Sequence, residues 1–177
     1  MVLCNNCEQP ITKAEYSGKQ QHLCNFCKSL LERTQQIRMS PMEEDDLELV
    51  LAWRSNPQIY QNSREQDGPL KWKDHVSWYE SRESERHDFM IYYDSRRVGV
   101  VSITQTNKIS IYLGDFSAHG KGIATAALKW ICDRFEHRTP LIAEIHEQNT
   151  ASVRLFEGCG FQQYARDREW IEYRYEP

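Results

Sequence analysis

The chain has 177 residues, of which 40% are hydrophobic and 27% charged, with a formal net charge of -4. That composition suits one full-sized globular domain with a small appendage. The negative balance argues against a protein that binds nucleic acid mainly through charge. No apolar run approaches the roughly 20 residues needed to span a membrane. The start Met-Val-Leu-Cys-Asn-Asn-Cys lacks the basic and apolar regions of a secretory signal, so a reducing, cytoplasmic location is expected.

Residues 1–33 read as a cysteine module. Cys4-x-x-Cys7 is followed by Cys24-x-x-Cys27. Two such knuckles supply four thiolates that can converge tetrahedrally on one metal, a spacing that reads as structural zinc. An iron centre and two disulfides are the competing uses of the same residues. The segment is too short to build its own core, so metal binding would supply its folding energy. Lys28 to Arg33 is expected as a short helix leaving the second knuckle.

Residues 34–177 read as a mixed α/β domain. Thr34 to Met39 is a candidate strand, broken by Ser40-Pro41. Met42 to Arg54 and Lys71 to Arg82 show helical spacing; Asn56-Pro57 ends the first. Glu83 to His87 is expected as a solvated turn. Phe89 to Tyr93, Val98 to Thr104 and Ile109 to Leu113 are apolar runs joined by hairpin-length turns, an antiparallel meander. A glycine loop follows, then a helix from about Gly122 to Glu136, a strand at Leu141 to His146, a helix at Ala151 to Glu157 and strands at Phe161 to Ala165 and Trp170 to Tyr175. The loop, His119-Gly120-Lys121-Gly122-Ile123-Ala124-Thr125, has small residues where a strand passes into a helix. Backbone amides can approach a ligand there, and the helix N-terminus favours phosphate or pyrophosphate.

Those seven residues resemble the acetyl-CoA pyrophosphate loop of the GNAT N-acetyltransferases, with His119 where Gln or Arg is usual. Asn149 to Phe161 resembles the family's second signature, Asn-x-x-Ser-x-x-Leu-Tyr-Glu-Lys-x-Gly-Phe, with Phe156 in place of its Tyr and Gly158 in place of its Lys. Leu49 to Pro57 and His75-Val-Ser-Trp78-Tyr79 are similar to the ribosomal-protein acetyltransferase-like branch. Within it, the nearest match is the enzyme that acetylates the 4-amino group of a UDP-linked amino sugar.

The resemblance implies a GNAT fold, a mixed central sheet flanked by helices, with a small zinc-ribbon-like module in front. It implies acetyl transfer from acetyl-CoA to a primary amine, by direct attack. The acceptor would be a small molecule such as a nucleotide-linked amino sugar; the alternatives are a protein N-terminus or lysine, or a non-catalytic acetyl-CoA-binding adaptor. The glycine loop, His119 to Thr125, would hold the pyrophosphate. Tyr112, Leu113 and Gly114 would line the pantetheine arm in a gap between two splayed strands, and Asn149 and Phe156 would also face the cofactor. Glu144, or His146 in its place, would take the proton of the amine; a buried Glu144 would suit that task. Phe156 cannot return a proton to the departing thiolate, leaving Tyr112, Tyr164, water or unaided departure. An acetyl-cysteine at Cys159 is the covalent alternative to direct transfer. Trp53, Arg54, His75 and Trp78 would flank the acceptor, or fill the core.

Overall fold

The computed structural model describes Val2–Leu3, Pro10–Ile11 and residues 36–177. The chain divides into two compact units, Met1–Ile37 and Arg38–Pro177. In the first, β1 (Val2–Leu3) pairs antiparallel with β2 (Pro10–Ile11), Val2 opposite Ile11 and Leu3 opposite Pro10. Cys4, Cys7, Cys24 and Cys27 and the helix expected at Lys28 to Arg33 lie outside the described residues.

The second unit is built on two sheets. The first has the order β3 (Ile37–Pro41), β4 (His87–Tyr93), β5 (Arg96–Ile103), β6 (Ile109–Leu113). The expected break at Ser40-Pro41 does not occur; both residues continue β3. Because β3 is an edge strand, the N–H that proline lacks can fall on its unpaired side. The β4–β5 hairpin closes through Asp94 and Ser95, both at positive φ (50° and 62°), as a tight turn with the right-handed strand twist requires. The second sheet has the order β7 (Leu141–His146), β9 (Trp170–Tyr175), β8 (Gln162–Asp167), all antiparallel.

The helix expected over Met42 to Arg54 is divided. A 3-10 turn, Glu44–Asp46, precedes α1 (Leu47–Arg54). The buried Asp46 carboxylate accepts from the Glu43 N–H at 2.9 Å and pairs with Arg97 Nε at 2.8 Å, which ties this turn to β5. Asn56-Pro57 ends α1 but also starts a further helix, α2 (Pro57–Tyr60). The Asn56 side chain accepts from Gln58 N–H, and Pro57 occupies the first turn. Next in the chain are α3 (Trp72–Glu80), α4 (Ile123–Arg134) and α5 (Thr150–Gly158). Among the described residues, no helix is long and apolar enough to cross a membrane.

Strand alternation sorts the first sheet into two faces. Met90, Val100 and Tyr112 stand opposite one another on one face. They pack with Leu47 and Val50 of α1 and with Val76, Trp78 and Tyr79 of α3. On α4, Ile123, Ala127, Leu128 and Ile131 are fully buried where the helix covers β5 and β6.

The two sheets meet at one point. Lys108 and Ile142 form a single parallel bridge, in which Ile142 N–H donates to the Asn107 carbonyl at 2.9 Å. Arg138 pins that point. Its Nε donates to Asn107 Oδ1 at 3.0 Å and its Nη2 to the Thr104 carbonyl at 2.6 Å, while Asn107 Nδ2 donates to the Arg138 carbonyl at 2.7 Å. Beyond the pin, β6 and β7 belong to separate sheets and leave an open seam.

At the end of β6, Gly114 leaves room for an indole. A Cβ built there would lie 2.0 Å from Trp53 Cδ2. The substitution Gly114→Ala must displace Trp53 and should cost about 1–3 kcal/mol, read as a lower midpoint in urea and thermal unfolding. An unchanged midpoint would show that the indole can move freely.

Candidate active site

The glycine loop lies at the open end of the seam, immediately after β6. A 3-10 turn, Phe116–Ala118, leads to His119. Gly120 and Gly122 have φ of 71° and 77°, and nothing stands within 4 Å of where their side chains would be. Both glycines are needed for the backbone and both leave open space above it. Gly122 is the N-cap of α4 and supplies no capping side chain, so the first amides of a twelve-residue helix face the loop without a side-chain partner. Alternating backbone hands next to free helix amides make a concavity suited to an anion.

His119 is used differently from the expectation that it would reach the pyrophosphate. Its Nε2 lies 3.2 Å from the Leu113 carbonyl and its ring meets Phe116 edge-on at 5.2 Å, so it ties the loop back to β6. Lys121 sits over the Tyr93 ring at 5.5 Å. The Ile123 side chain is buried in the core, so only its backbone is available to the loop. Ala124 and Thr125 lie in the exposed first turn of α4.

Across the seam, β7 alternates strictly. Leu141, Ala143 and Ile145 are buried, whereas Ile142, Glu144 and His146 face outward. Glu144 is not the buried carboxylate expected. Its side chain is 23% exposed and is held by two cations, Lys108 Nζ on Oε2 at 2.8 Å and Arg64 Nη1 on Oε1 at 3.2 Å. Arg64 also pairs with Asp167 at the end of β8. His146 lies two residues further along the same face, its Nδ1 accepting from Gln148 N–H at 3.2 Å and its ring edge-on to Trp170.

Two further residues are used within the fold. Asn149 Oδ1 caps α5 by accepting from Ser152 N–H at 3.2 Å, so that oxygen is committed to the helix. Phe156 is 3% exposed and packs edge-on to Phe161, which makes it core and not a cofactor contact. For Cys159, burial pushes the thiol up, which disfavours the thiolate an acetyl-cysteine would need.

The residues expected on the acceptor side come together around Tyr112 of β6. Trp53 meets the Tyr112 ring edge-on and covers Gly114. His75 stacks on Trp78 at 5.3 Å with 14° between planes. Arg54, Arg82 and Arg86 lie over the same indole at 5.2, 5.8 and 5.2 Å. Asp88, almost wholly buried, pairs with Arg82 and Arg86, each at 3.0 Å. Arg54 has no carboxylate partner among the described residues. Two guanidiniums therefore hold the Asp88 carboxylate, and a third shares the Trp78 indole. Among the described residues, the Tyr112 hydroxyl and both His75 ring nitrogens are enclosed without a hydrogen-bond partner. Burial pushes the Tyr112 phenol far up, so it stays protonated. A cavity of about 440 Å³ opens beside Arg82, Arg86 and Asp88 and is also lined by Tyr79 and Arg134.

Sequence reasoning singled out the loop, Glu144 and the Arg54–Trp78 group as candidates. It missed Lys108, Arg64 and Asp167, which reach Glu144 from other elements, and Arg82, Arg86 and Asp88. For Arg86 and Asp88 a signal was present, since a charged pair beside an apolar strand start is an available ion pair; for Arg64 and Asp167 no local pattern existed.

Burial lowers the His75 pKa and the Arg54 charge lowers it further. The unfolded chain, with its imidazole near about 6.5, therefore takes up a proton before the folded one. His75 contributes stability that is full above that pH and declines as pH falls through it toward the lower folded value. Urea unfolding at about pH 7.5 and about pH 5.5 should show a loss of stability on acidification that is smaller in His75→Gln. An equal loss in both proteins would refute the assignment.

Comparison with known proteins agrees with this geometry. A model of the acetyltransferase (GNAT) domain family matches residues 36–162. Uncharacterized protein MJ1062 of Methanocaldococcus jannaschii is 38% identical over 159 residues, covering 82% of this chain and 32% of that protein, so the chain spans about a third of its relative's length. A solved domain from Methanocaldococcus jannaschii is 35% identical with a TM-score of 0.72, covering 78% of this chain and 97% of that one. Spermidine N-acetyltransferase from Vibrio cholerae, in complex with CoA and spermine, shares the fold at 16% identity with a TM-score of 0.68, covering 79% and 94%. The chain belongs to the GNAT acetyltransferase domain family.

Proposed function

We propose that the chain transfers an acetyl group from acetyl-CoA to a primary amine of a small molecule, with a nucleotide-linked amino sugar as the leading acceptor. The observation that carries the reading is the open seam between β6 and β7, with the two-glycine loop and the uncapped start of α4 at its end and Glu144 on its lip. In this reading the amides of Gly120 to Thr125 hold the pyrophosphate. The free edge of β6 holds the pantetheine arm, placing the thioester near Glu144.

The amine arrives as an ammonium. Glu144 takes one proton and becomes a carboxylic acid. The nitrogen lone pair then attacks the thioester carbonyl, the C–N bond forms, and the C–S bond breaks with its electron pair on sulfur. The second nitrogen proton passes to the thiolate, whose ordinary pKa near about 8.5 also allows it to leave unaided. No acid at Phe156 is needed. His146, on the same face of β7, is the competing base.

The acceptor class rests on the group around Trp78. Arg54, Arg82 and Arg86 outnumber Asp88, and Trp78 offers a flat surface. Guanidinium groups on an indole suit the phosphates and base of a nucleotide. The spermidine enzyme of similar fold acts, by its name, on a small amine. In the first unit, pairing of β1 with β2 sets the residues that flank Cys4-x-x-Cys7 side by side, as a metal knuckle would need. Four thiolates fit structural zinc, with no part in the chemistry.

Incubation with acetyl-CoA and a panel of amines, including nucleotide-linked amino sugars, should release thiol in an amine-dependent way. Glu144→Gln should lower kcat by about a hundredfold. Tight acetyl-CoA binding with no amine-dependent release would favour an adaptor instead. Metal analysis of protein purified without chelator should find about one zinc per chain, lost when Cys4 and Cys24 are changed to Ser; metal-free protein would refute the zinc module.

A further inference from the structure

The segment between α2 and α3 is tied down at two places. Toward its C-terminal end, Gln66 holds it to α1: Nε2 donates to the carbonyls of Arg54 at 2.8 Å and Gly68 at 2.7 Å, and Leu70 N–H donates to Ser55 Oγ at 3.3 Å. Toward its N-terminal end, Arg64 reaches across to the second sheet. There it joins Glu144 on β7 and Asp167 at the end of β8, residues 80 and 103 positions away.

This contact has a chemical consequence for the reading of Glu144 given above. Lys108, which immediately precedes β6, holds Oε2, and Arg64 holds Oε1. With both in place, each oxygen already accepts from a cation, so an incoming ammonium must compete for it. Lys108 is fixed at the pin between the sheets. Arg64 is on an exposed loop, away from the pin. Oε1 is therefore the oxygen that becomes free when something moves. What takes the place of a guanidinium between two carboxylates is another cation with N–H donors, and an incoming ammonium has that charge and those donors.

We propose that Arg64 is a latch that determines specificity: it occupies the ammonium position between Glu144 and Asp167, and only a cationic amine able to engage both carboxylates displaces it. The inference rests on Glu144 as the base. Gln66 then acts as the fixed end of the strap, and because it also touches the Arg54 guanidinium at 3.4 Å, the strap joins the two sides of the acceptor site. Exposed ion pairs are weak, each worth up to about fivefold in an equilibrium. Such a latch excludes neutral compounds yet yields to a bound substrate.

Hydrogen exchange of amides 61–66 tests this without turnover. Arg64→Ala should raise their exchange by about fivefold, and Arg64→Lys by less. In the wild-type protein, spermidine should raise the same amides above the level given by sodium chloride at equal ionic strength, with no further rise in Arg64→Ala. Unchanged exchange in Arg64→Ala, or a spermidine effect no larger than that of sodium chloride, overturns the latch. Turnover that persists in Glu144→Gln would instead sink the assignment of the base, and the exchange result would be read independently of it.

Discussion

The site depends on one pin. Arg138 and Asn107 bond to each other in both directions, and Asn107 also accepts from the first residues of β7. The pin brings the start of β6 against the start of β7 and leaves them a single bridge. Two sheets, each with its own right-handed twist, diverge from a shared point unless further ladder bonds hold them together. The gap is therefore a product of closure at the other end. Backbone groups along its edges are left without ladder partners in an otherwise well-bonded domain, and a ligand that offers donors and acceptors can satisfy them.

On either side of that gap the chemistry is divided by strand alternation. Lys108, Ser110 and Tyr112 share one face of β6, and Glu144 and His146 share one face of β7. The polar groups of the acceptor side gather around Trp78, where guanidiniums, an imidazole and an enclosed phenol meet in an otherwise apolar layer. A buried cluster with spare positive charge and unmet hydrogen bonds is costly for folding, and such costs tend to fall where a protein binds something.

Much of the fold was legible from the sequence because it rests on local signals. The meander, the glycine loop and the helix after it follow from apolar period, turn residues and helix-start geometry. The departures were also local but competed with stronger rules. Proline normally ends a strand, and only the edge position of β3 lets Pro41 stay in one. Asn56-Pro57 carries both a stop and a start, and α2 is too short to show a period. The site was legible where backbone shape makes it, at Gly120 and Gly122. It was illegible where distant residues converge, because the setting of Glu144 is decided by Lys108 and Arg64, and no periodicity reports a partner on another element.

Trp53 fills the space that Gly114 leaves, and each stands next to a working part of the molecule. Trp53 precedes Arg54 on α1; Gly114 opens the segment that leads to the glycine loop. The two halves of the site are thus hinged on one aromatic plate. Changes at the two ends are coupled at this joint: trimming the indole beside Arg54 also removes what fills the space at Gly114, where the chain leaves β6 for the loop.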